Sequence, residues 1–76
     1  MDLGASLERD PETLAGAIRV KGTRLSVDFL LGLFEQGWTE QDVLASYPQL
    51  TPVALQAVFA LARRSLQNEQ LIPLAS

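Results

Sequence analysis

Apolar and polar residues alternate along residues 18–27, which run Ile-Arg-Val-Lys-Gly-Thr-Arg-Leu-Ser-Val. A period of two is typical of strands that have one buried face. Lys21-Gly22 lies within this run and supplies the backbone freedom of a tight turn. The pattern therefore predicts two short strands joined in a hairpin, directly ahead of the first helix.

The period then changes to that of a helix. The apolar stripe of this helix is formed by Val27, Leu30, Leu31 and Phe34. Ser26 is a candidate N-cap, and Gly37 suits the left-handed residue that ends a helix. Because Phe29 and Leu33 add apolar surface on a neighbouring face, we expect this helix to contact other groups on both sides.

A second and a third helix follow, each with its own start signal. Thr39 is a candidate N-cap, with Asp42 three residues later as in a capping box. Tyr47 precedes a proline and so ends the second helix. Thr51-Pro52 opens the third helix, with Thr51 as N-cap and Pro52 at the first helical position. Proline has no N–H, and at this position an N–H would have no partner within the helix. The predicted core stripe of the third helix is Leu55, Val58, Phe59, Ala62 and Leu66, beside a second, smoother face of Ala54, Ala57, Ala60 and Leu61.

Together these elements predict a mainly α domain over residues 1–66 and a C-terminal tail over residues 67–76. A short helix, a turn over residues 46–51 and a longer helix have the spacing of a helix-turn-helix. The tail is polar and then apolar, so we expect a short docking strand there rather than exposed coil.

The hydrophobic content indicates a second copy of the chain. Of the 76 residues, 47% are hydrophobic, which exceeds what a small domain with a large surface needs. Such an excess indicates an interface, most simply that of a homodimer. The expected dimer interface comprises Phe29, Leu33, Ala57 and Leu61.

The residue types present exclude several classes of chemistry. The sequence contains no cysteine and no histidine, which excludes disulfides, thiolate metal sites and histidine-based catalysis. The carboxylates show no clustering that supports a metal or acid–base site, so we expect a protein without enzymatic activity, cofactor or metal. No charged start is followed by a long apolar run, and we therefore expect a small cytoplasmic protein.

Charge disfavours DNA binding by the third helix alone. The net charge is −3, and this helix carries no basic residue before Arg63-Arg64. Because phosphate neutralisation needs cations, any affinity for DNA must come from a dimer that gathers the basic residues of the 18–27 run. The expected phosphate contacts are then Arg19, Lys21 and Arg24, and the expected base-reading residues are Thr51, Val53 and Gln56. The acidic residues Glu8, Asp10 and Glu12 are expected to form a solvated face.

Several motifs, in order, resemble the family called domain of unknown function 433. They are Asp10-Pro11-Glu12, residues 16–27 with Gly22-Thr23-Arg24, Gly37-Trp38-Thr39, Tyr47-Pro48-Gln49-Leu50-Thr51 and residues 53–57. Family members have an Asp-Pro-Glu start, a Gly-x-x-x-Ile-x-Gly-Thr-Arg-Ile-x-Val hairpin, a Gly-Trp and a Tyr-Pro-x-Leu-Thr. The resemblance covers residues 8–66. Where the family hairpin usually has Gly-Lys-Pro, this chain has Gly16-Ala17, and the missing lysine weakens a phosphate-contact role for the hairpin.

The family is similar to VapB-type antitoxins. This resemblance implies a three-helix homeodomain-like helix-turn-helix with a short N-terminal β-hairpin, and a PIN-like ribonuclease toxin as partner. We accordingly expect an antitoxin that binds such a toxin through the apolar tail residues Leu71, Ile72 and Leu74, with operator DNA binding by a dimer as a second activity. The alternative is a protein-interaction or assembly module that does not bind DNA. The net charge of −3 favours this alternative.

Overall fold

The computed structural model describes residues 2–12 and 17–68 of the chain. The fold is mainly α, as predicted, with three helices and an antiparallel pair of short strands ahead of them. A 3-10 turn at Leu3–Ala5 is followed by strands β1 Leu7–Arg9 and β2 Ile18–Val20. The helices are α1 Val27–Glu35, α2 Glu40–Ser46 and α3 Pro52–Asn68.

The two strands are not the pair that the alternation predicts. β2 pairs with β1, which places Leu7 opposite Val20. The downstream half of the predicted hairpin is reduced to one bridge, between Arg19 and Ser26. Because Ser26 also caps α1, the helix begins where a second strand of the predicted hairpin would have continued.

Thr23 closes the turn that follows β2. Its Oγ1 donates a hydrogen bond to the Val20 carbonyl at 2.9 Å and accepts one from the Leu25 N–H at 3.0 Å. Gly22 has a φ of +78°, in the left-handed region that side chains with a Cβ rarely adopt. The tight turn predicted at Lys21-Gly22 is therefore confirmed, and it leaves Lys21 exposed.

All three predicted N-caps are confirmed. The Ser26 Oγ accepts from the Phe29 N–H at 3.0 Å, and the Thr51 Oγ1 accepts from the Ala54 N–H at 3.1 Å. Thr39 caps α2 within a complete capping box. These oxygens bind N–H groups that have no acceptor inside the first helical turn, which fixes where each helix begins.

The core draws on both strands and all three helices. Its fully buried side chains are Leu30, Val43, Leu55 and Val58. Leu7 from β1 and Val20 from β2 close the core at the strand end, and among the described residues no polar side chain is buried. None of the helices in that part of the chain is both long and apolar enough to cross a lipid bilayer.

Part of the predicted core stripe of α3 packs inward: Leu55 and Val58 are fully buried, as predicted. Ala54 and Ala57 are buried, whereas Phe59 is 41% exposed and Leu66 58% exposed. The buried residues centre the inward face of α3 on the alanine side of the predicted stripe, so Phe59, at the opposite edge, faces outward. Leu66 lies eleven residues after the fully buried Leu55, on the same side of the helix, and it is exposed because it stands in the last turns, where residues 63–67 are all exposed. The expected core positions of Phe59 and Leu66 are therefore wrong.

Candidate nucleic-acid and protein interfaces

Arg19, an expected phosphate contact, is bound by carboxylates of its own chain. Its Nη2 lies 2.9 Å from the Glu8 Oε2, and its Nη1 lies 3.5 Å from the Asp10 Oδ2. The Nε also donates to the Glu8 Oε2 at 3.2 Å. The hydrogen bond to Glu8 raises the pKa of Arg19 above its ordinary value, and the charge of Asp10 adds to the shift. The expected solvated acidic face is thus wrong for Glu8 and Asp10, which turn toward Arg19.

Arg24 shares this acidic neighbourhood. Arg19 and Arg24 line a cavity of about 250 Å³ together with Asp10 and Glu12. Two cations and two carboxylates offset each other in such a cavity, so it gives a phosphate little net attraction. Sequence reasoning missed these pairings, although the opposite charges on residues 8–12 and 19–24 were a signal for them.

Lys21 lies in a different place, beside the start of α3. It lines a cavity of about 170 Å³ with Ser6, Gln49, Thr51 and Ala54. The turn after β2 and the beginning of α3 therefore meet at one surface. Among the expected DNA contacts, this arrangement brings Lys21 and Thr51 together and separates them from the acid-paired Arg19.

The remaining expected base-reading residues lie on α3 itself. Val53 is 57% exposed, and Gln56 is exposed as well. Residues three apart on a helix are neighbours on its surface, so both are accessible to a flat partner. The Thr51 hydroxyl also caps α3, so its oxygen already accepts a hydrogen bond from the Ala54 N–H.

An aromatic pair joins α1 to the end of α2, with an exposed Phe29 and a half-buried Tyr47. Phe29 is 42% exposed, and its ring contacts that of Tyr47 edge-on, with centroids 5.9 Å apart and planes at 88°. Phe29 is an expected dimer-interface residue, and its position leaves it accessible for that role.

The other expected interface residues do not form one surface with Phe29. Leu33 is 8% exposed and Ala57 is fully buried, so both belong to the core of a single chain. The expected interface role of Leu33 and Ala57 is therefore wrong, because a side chain buried within one chain cannot contact a second copy. Leu61 is half-buried and lines a cavity of about 200 Å³ with Leu3, Leu7 and Ile18.

A second apolar surface, which sequence reasoning did not single out, lies between α1 and α3. The rings of Phe34 and Phe59 are 4.8 Å apart with planes at 53°, and Leu66 follows Phe59 by seven residues on the same side of the helix. We call Phe34, Phe59 and Leu66 the α1–α3 apolar face. The expected partner-binding residues Leu71, Ile72 and Leu74 lie outside the described residues.

No metal site accompanies these surfaces within residues 2–12 and 17–68, since no three acidic side chains there come together around one point. Comparison with known proteins gives one family. The model of the family described as "Protein of unknown function (DUF433)" matches residues 7–62. No curated protein and no solved structure gives a significant match to the chain.

Proposed function

The chain belongs to the DUF433 family of proteins of unknown function, and from that premise we propose that it is an antitoxin that binds and neutralises a PIN-like ribonuclease. The similarity of the family to VapB-type antitoxins supports this assignment. The proposed action is by contact: the protein covers the ribonuclease and keeps RNA out.

The observation that carries the proposal is the amount of large apolar surface on so small a domain. Phe29, Val53, Phe59 and Leu66 are each between 41% and 58% exposed. Single exposed apolar residues are common on monomers, but aromatic pairs with several apolar neighbours are typical of protein interaction sites. This surface favours a protein partner over a phosphate backbone.

The segment proposed to enter the ribonuclease is the tail Leu71-Ile72-Pro73-Leu74. It is apolar and carries a proline, which restricts the backbone and lowers the entropy lost on binding. It also follows α3 in the sequence, so we propose that it reaches a partner without unfolding the core.

Operator DNA binding is proposed as a second activity, with Lys21 as the principal phosphate contact. Lys21 lies beside Thr51 at the start of α3, with Val53 and Gln56 exposed on the first turns of that helix. In helix-turn-helix proteins these first turns contact the bases. The pairing of Arg19 with Glu8 and Asp10 instead favours the alternative, a protein-interaction module that does not bind DNA.

A binding and inhibition assay tests the proposal. The ribonuclease from the neighbouring reading frame is purified, and its cleavage of RNA is followed with and without this protein. We expect stoichiometric inhibition and co-purification. Replacing Leu71, Ile72 and Leu74 by serine is expected to abolish both, whereas serine at Gln70 and Ala75 preserves them.

Two results would contradict parts of this account. Full ribonuclease activity in the presence of excess folded protein would reject the antitoxin function. Inhibition that survives the triple serine replacement would keep the function and move the contact from the tail to the helices.

A further inference from the structure

A cleft of about 400 Å³ lies between the end of α1 and the side of α2. Its lining comprises Gln36, Gly37, Trp38, Asp42, Ala45 and Ser46. The three lining residues of α2 share one side of that helix, because residues three and four apart are neighbours on a helix surface. An indole ring, a carboxylate and the C-terminal end of a helix therefore meet at one place.

The Asp42 carboxylate keeps one oxygen for a ligand. Its Oδ2 accepts a hydrogen bond from the Thr39 N–H at 2.9 Å, whereas its Oδ1 has no partner within residues 2–12 and 17–68. Asp42 is exposed, so this second oxygen is accessible from solvent. A carboxylate oxygen only accepts hydrogen bonds, and cationic groups are its strongest donors.

Trp38 supplies an aromatic surface to the same cleft. It is half-buried and packs against the core, so its ring is held in place while part of it borders the cleft. The face of an indole attracts cations more strongly than the other aromatic side chains do. The guanidinium of arginine is planar, stacks on aromatic rings and donates two parallel N–H groups to a carboxylate. An arginine side chain therefore suits the chemistry of both Trp38 and Asp42.

The surroundings of the cleft add negative charge and supply no cation. Residues 25–62 contain four acidic residues, all exposed, and no lysine or arginine. The last turn of α1 has no basic residue that offsets the negative end of its helix dipole. All six lysines and arginines of the chain lie in its described part, and none of them lines the cleft. A cationic side chain in the cleft therefore comes from another molecule.

We propose that this cleft binds an arginine side chain of a protein partner, with the guanidinium stacked on Trp38 and hydrogen-bonded to Asp42. A second copy of this chain carries a net charge of −3 and is repelled by the acidic surface, so the partner is a different protein. The phosphates of a nucleic acid are repelled in the same way. The contact involves no residue of the tail and does not depend on the antitoxin function.

The single tryptophan of the chain makes the cleft directly observable by NMR. The probe is the peptide acetyl-Gly-Arg-Gly-amide, and its control carries citrulline, which has nearly the same shape and no charge, in place of arginine. At constant ionic strength, we expect the arginine peptide to shift the indole N–H signal of Trp38 in a saturable way and the citrulline peptide to leave it unchanged. Added salt should weaken the binding, because it screens exposed charges.

Variants of the cleft test which groups bind the peptide. Asp42→Asn is expected to weaken binding by about threefold, as for the loss of an exposed ion pair. Asp28→Asn removes an exposed carboxylate outside the cleft and should keep it. Ala45→Arg places a cation on the wall of the cleft and leaves the capping box of α2 intact, so it should block the peptide even where Asp42→Asn does not fold. Ala45→Gln is the uncharged control.

Three outcomes would overturn the inference. Equal shifts with both peptides, or no shift with either, would show that the cleft does not select a cation. Unchanged binding in Asp42→Asn and Ala45→Arg would place the peptide elsewhere. A Trp38 shift that grows with protein concentration without peptide, and that disappears when Arg63 and Arg64 are replaced by glutamine, would assign the cleft to a second copy. The measurements contain no ribonuclease, so a negative result leaves the antitoxin function unaffected.

Discussion

Arg19 on β2 and Glu8 on β1 lie directly opposite each other in the antiparallel pair, and their side chains meet at 2.9 Å. Cross-strand partners of opposite charge stabilise a two-stranded sheet. The same contact removes Arg19 from the cations available to a phosphate backbone. We therefore expect Arg19 and Lys21, two positions apart in the sequence, to differ in their availability to a phosphate.

The first prediction compares these two residues in DNA binding. Lys21→Gln is expected to reduce the slope of log Kobs against log salt by about 0.9 for each phosphate that Lys21 neutralises, whereas Arg19→Gln leaves the slope unchanged. Gln56→Ala should relax the preference at one base position and keep the salt slope. Gel-shift titrations with the upstream region of the protein's own gene, at several salt concentrations, measure both effects.

Arg64→Gln, at the opposite end of α3 from Lys21, serves as the charge-matched control. An equal reduction of the slope in Arg19→Gln and Lys21→Gln would mean that DNA displaces the carboxylates from Arg19. The absence of any shift at low salt would support the module that binds only protein.

The second prediction separates two residues of the expected dimer interface. Leu33→Asp places an unpaired charge in the core, which costs about 3–5 kcal/mol and is comparable to the whole stability of a domain of this size. Phe29→Asp removes an exposed ring interaction worth about 1 kcal/mol. We expect Leu33→Asp to be unfolded by circular dichroism and Phe29→Asp to remain folded.

Sedimentation of the folded Phe29→Asp protein then tests the homodimer that the hydrophobic content predicts. A dimer in the unaltered chain that becomes a monomer in Phe29→Asp places the interface at the Phe29–Tyr47 pair. Gln41→Asp, an exposed substitution on α2, should leave the oligomeric state as it is. If Phe29→Asp unfolds as completely as Leu33→Asp, Phe29 has a structural role that its exposure does not indicate.

The third prediction concerns two glycines, Gly37 with a positive φ and Gly32 within helix α1. Gly37 has a φ of +99°, so Gly37→Ala forces a left-handed residue and is expected to destabilise the domain by about 1–2 kcal/mol. Gly32 lies inside α1 with open space where a Cβ would be. Gly32→Ala should therefore stabilise the domain by about 0.5–1 kcal/mol. Relative to the unaltered chain, the urea midpoint of unfolding should fall in Gly37→Ala and rise in Gly32→Ala. Midpoints that both rise or both fall would contradict the backbone explanation.

The fourth prediction concerns pH and the start of α2. The carboxylate of Asp42 accepts from the Thr39 N–H at 2.9 Å, and the Thr39 Oγ1 accepts from the Asp42 N–H at 3.1 Å. The hydrogen bond from the Thr39 backbone lowers the pKa of Asp42 below its ordinary value of 3.8. Folding therefore favours the charged form, so its contribution is present above about pH 4 and disappears as the pH falls through the lowered pKa.

Urea titrations between about pH 5 and pH 2 measure this contribution. The difference in midpoint between the unaltered chain and Asp42→Asn should shrink as the pH falls. Asp28→Asn, on the exposed first turn of α1, is the matched control. Thr39→Ala removes the other half of the box and is expected to lower the free energy of unfolding by about 1 kcal/mol at neutral pH. A midpoint difference that is constant with pH would show that the Asp42 charge is unimportant.

Features set by neighbouring residues are predictable from the sequence. Ser26, Thr39 and Thr51 are recognisable as caps because a cap and its N–H partner lie within three residues. Gly37 is recognisable as a helix end for the same local reason. Strand β1 escapes prediction because a three-residue strand is too short to show alternation, and the central residue of its partner strand lies eleven positions away.

The candidate surfaces depend on contacts that no local pattern contains. Glu8 binds Arg19 only because β1 and β2 are paired. Phe59 lies at the edge of an apolar stripe, and a small rotation of α3 decides whether such a residue is buried or exposed. Ala54 and Ala57 are buried beside Leu55 and Val58, and a helical pattern alone does not reveal that the alanine side faces inward.

The contact between the first strand and the last helix has a consequence for synthesis. Leu7 on β1 and Leu61 on α3 line one cavity, so the first and last segments of the domain meet. A ribosome delivers Leu7 early and Leu61 much later, and the nascent chain cannot close its core before α3 emerges. We therefore expect its apolar segments to stay accessible to chaperones and proteases until translation has supplied α3.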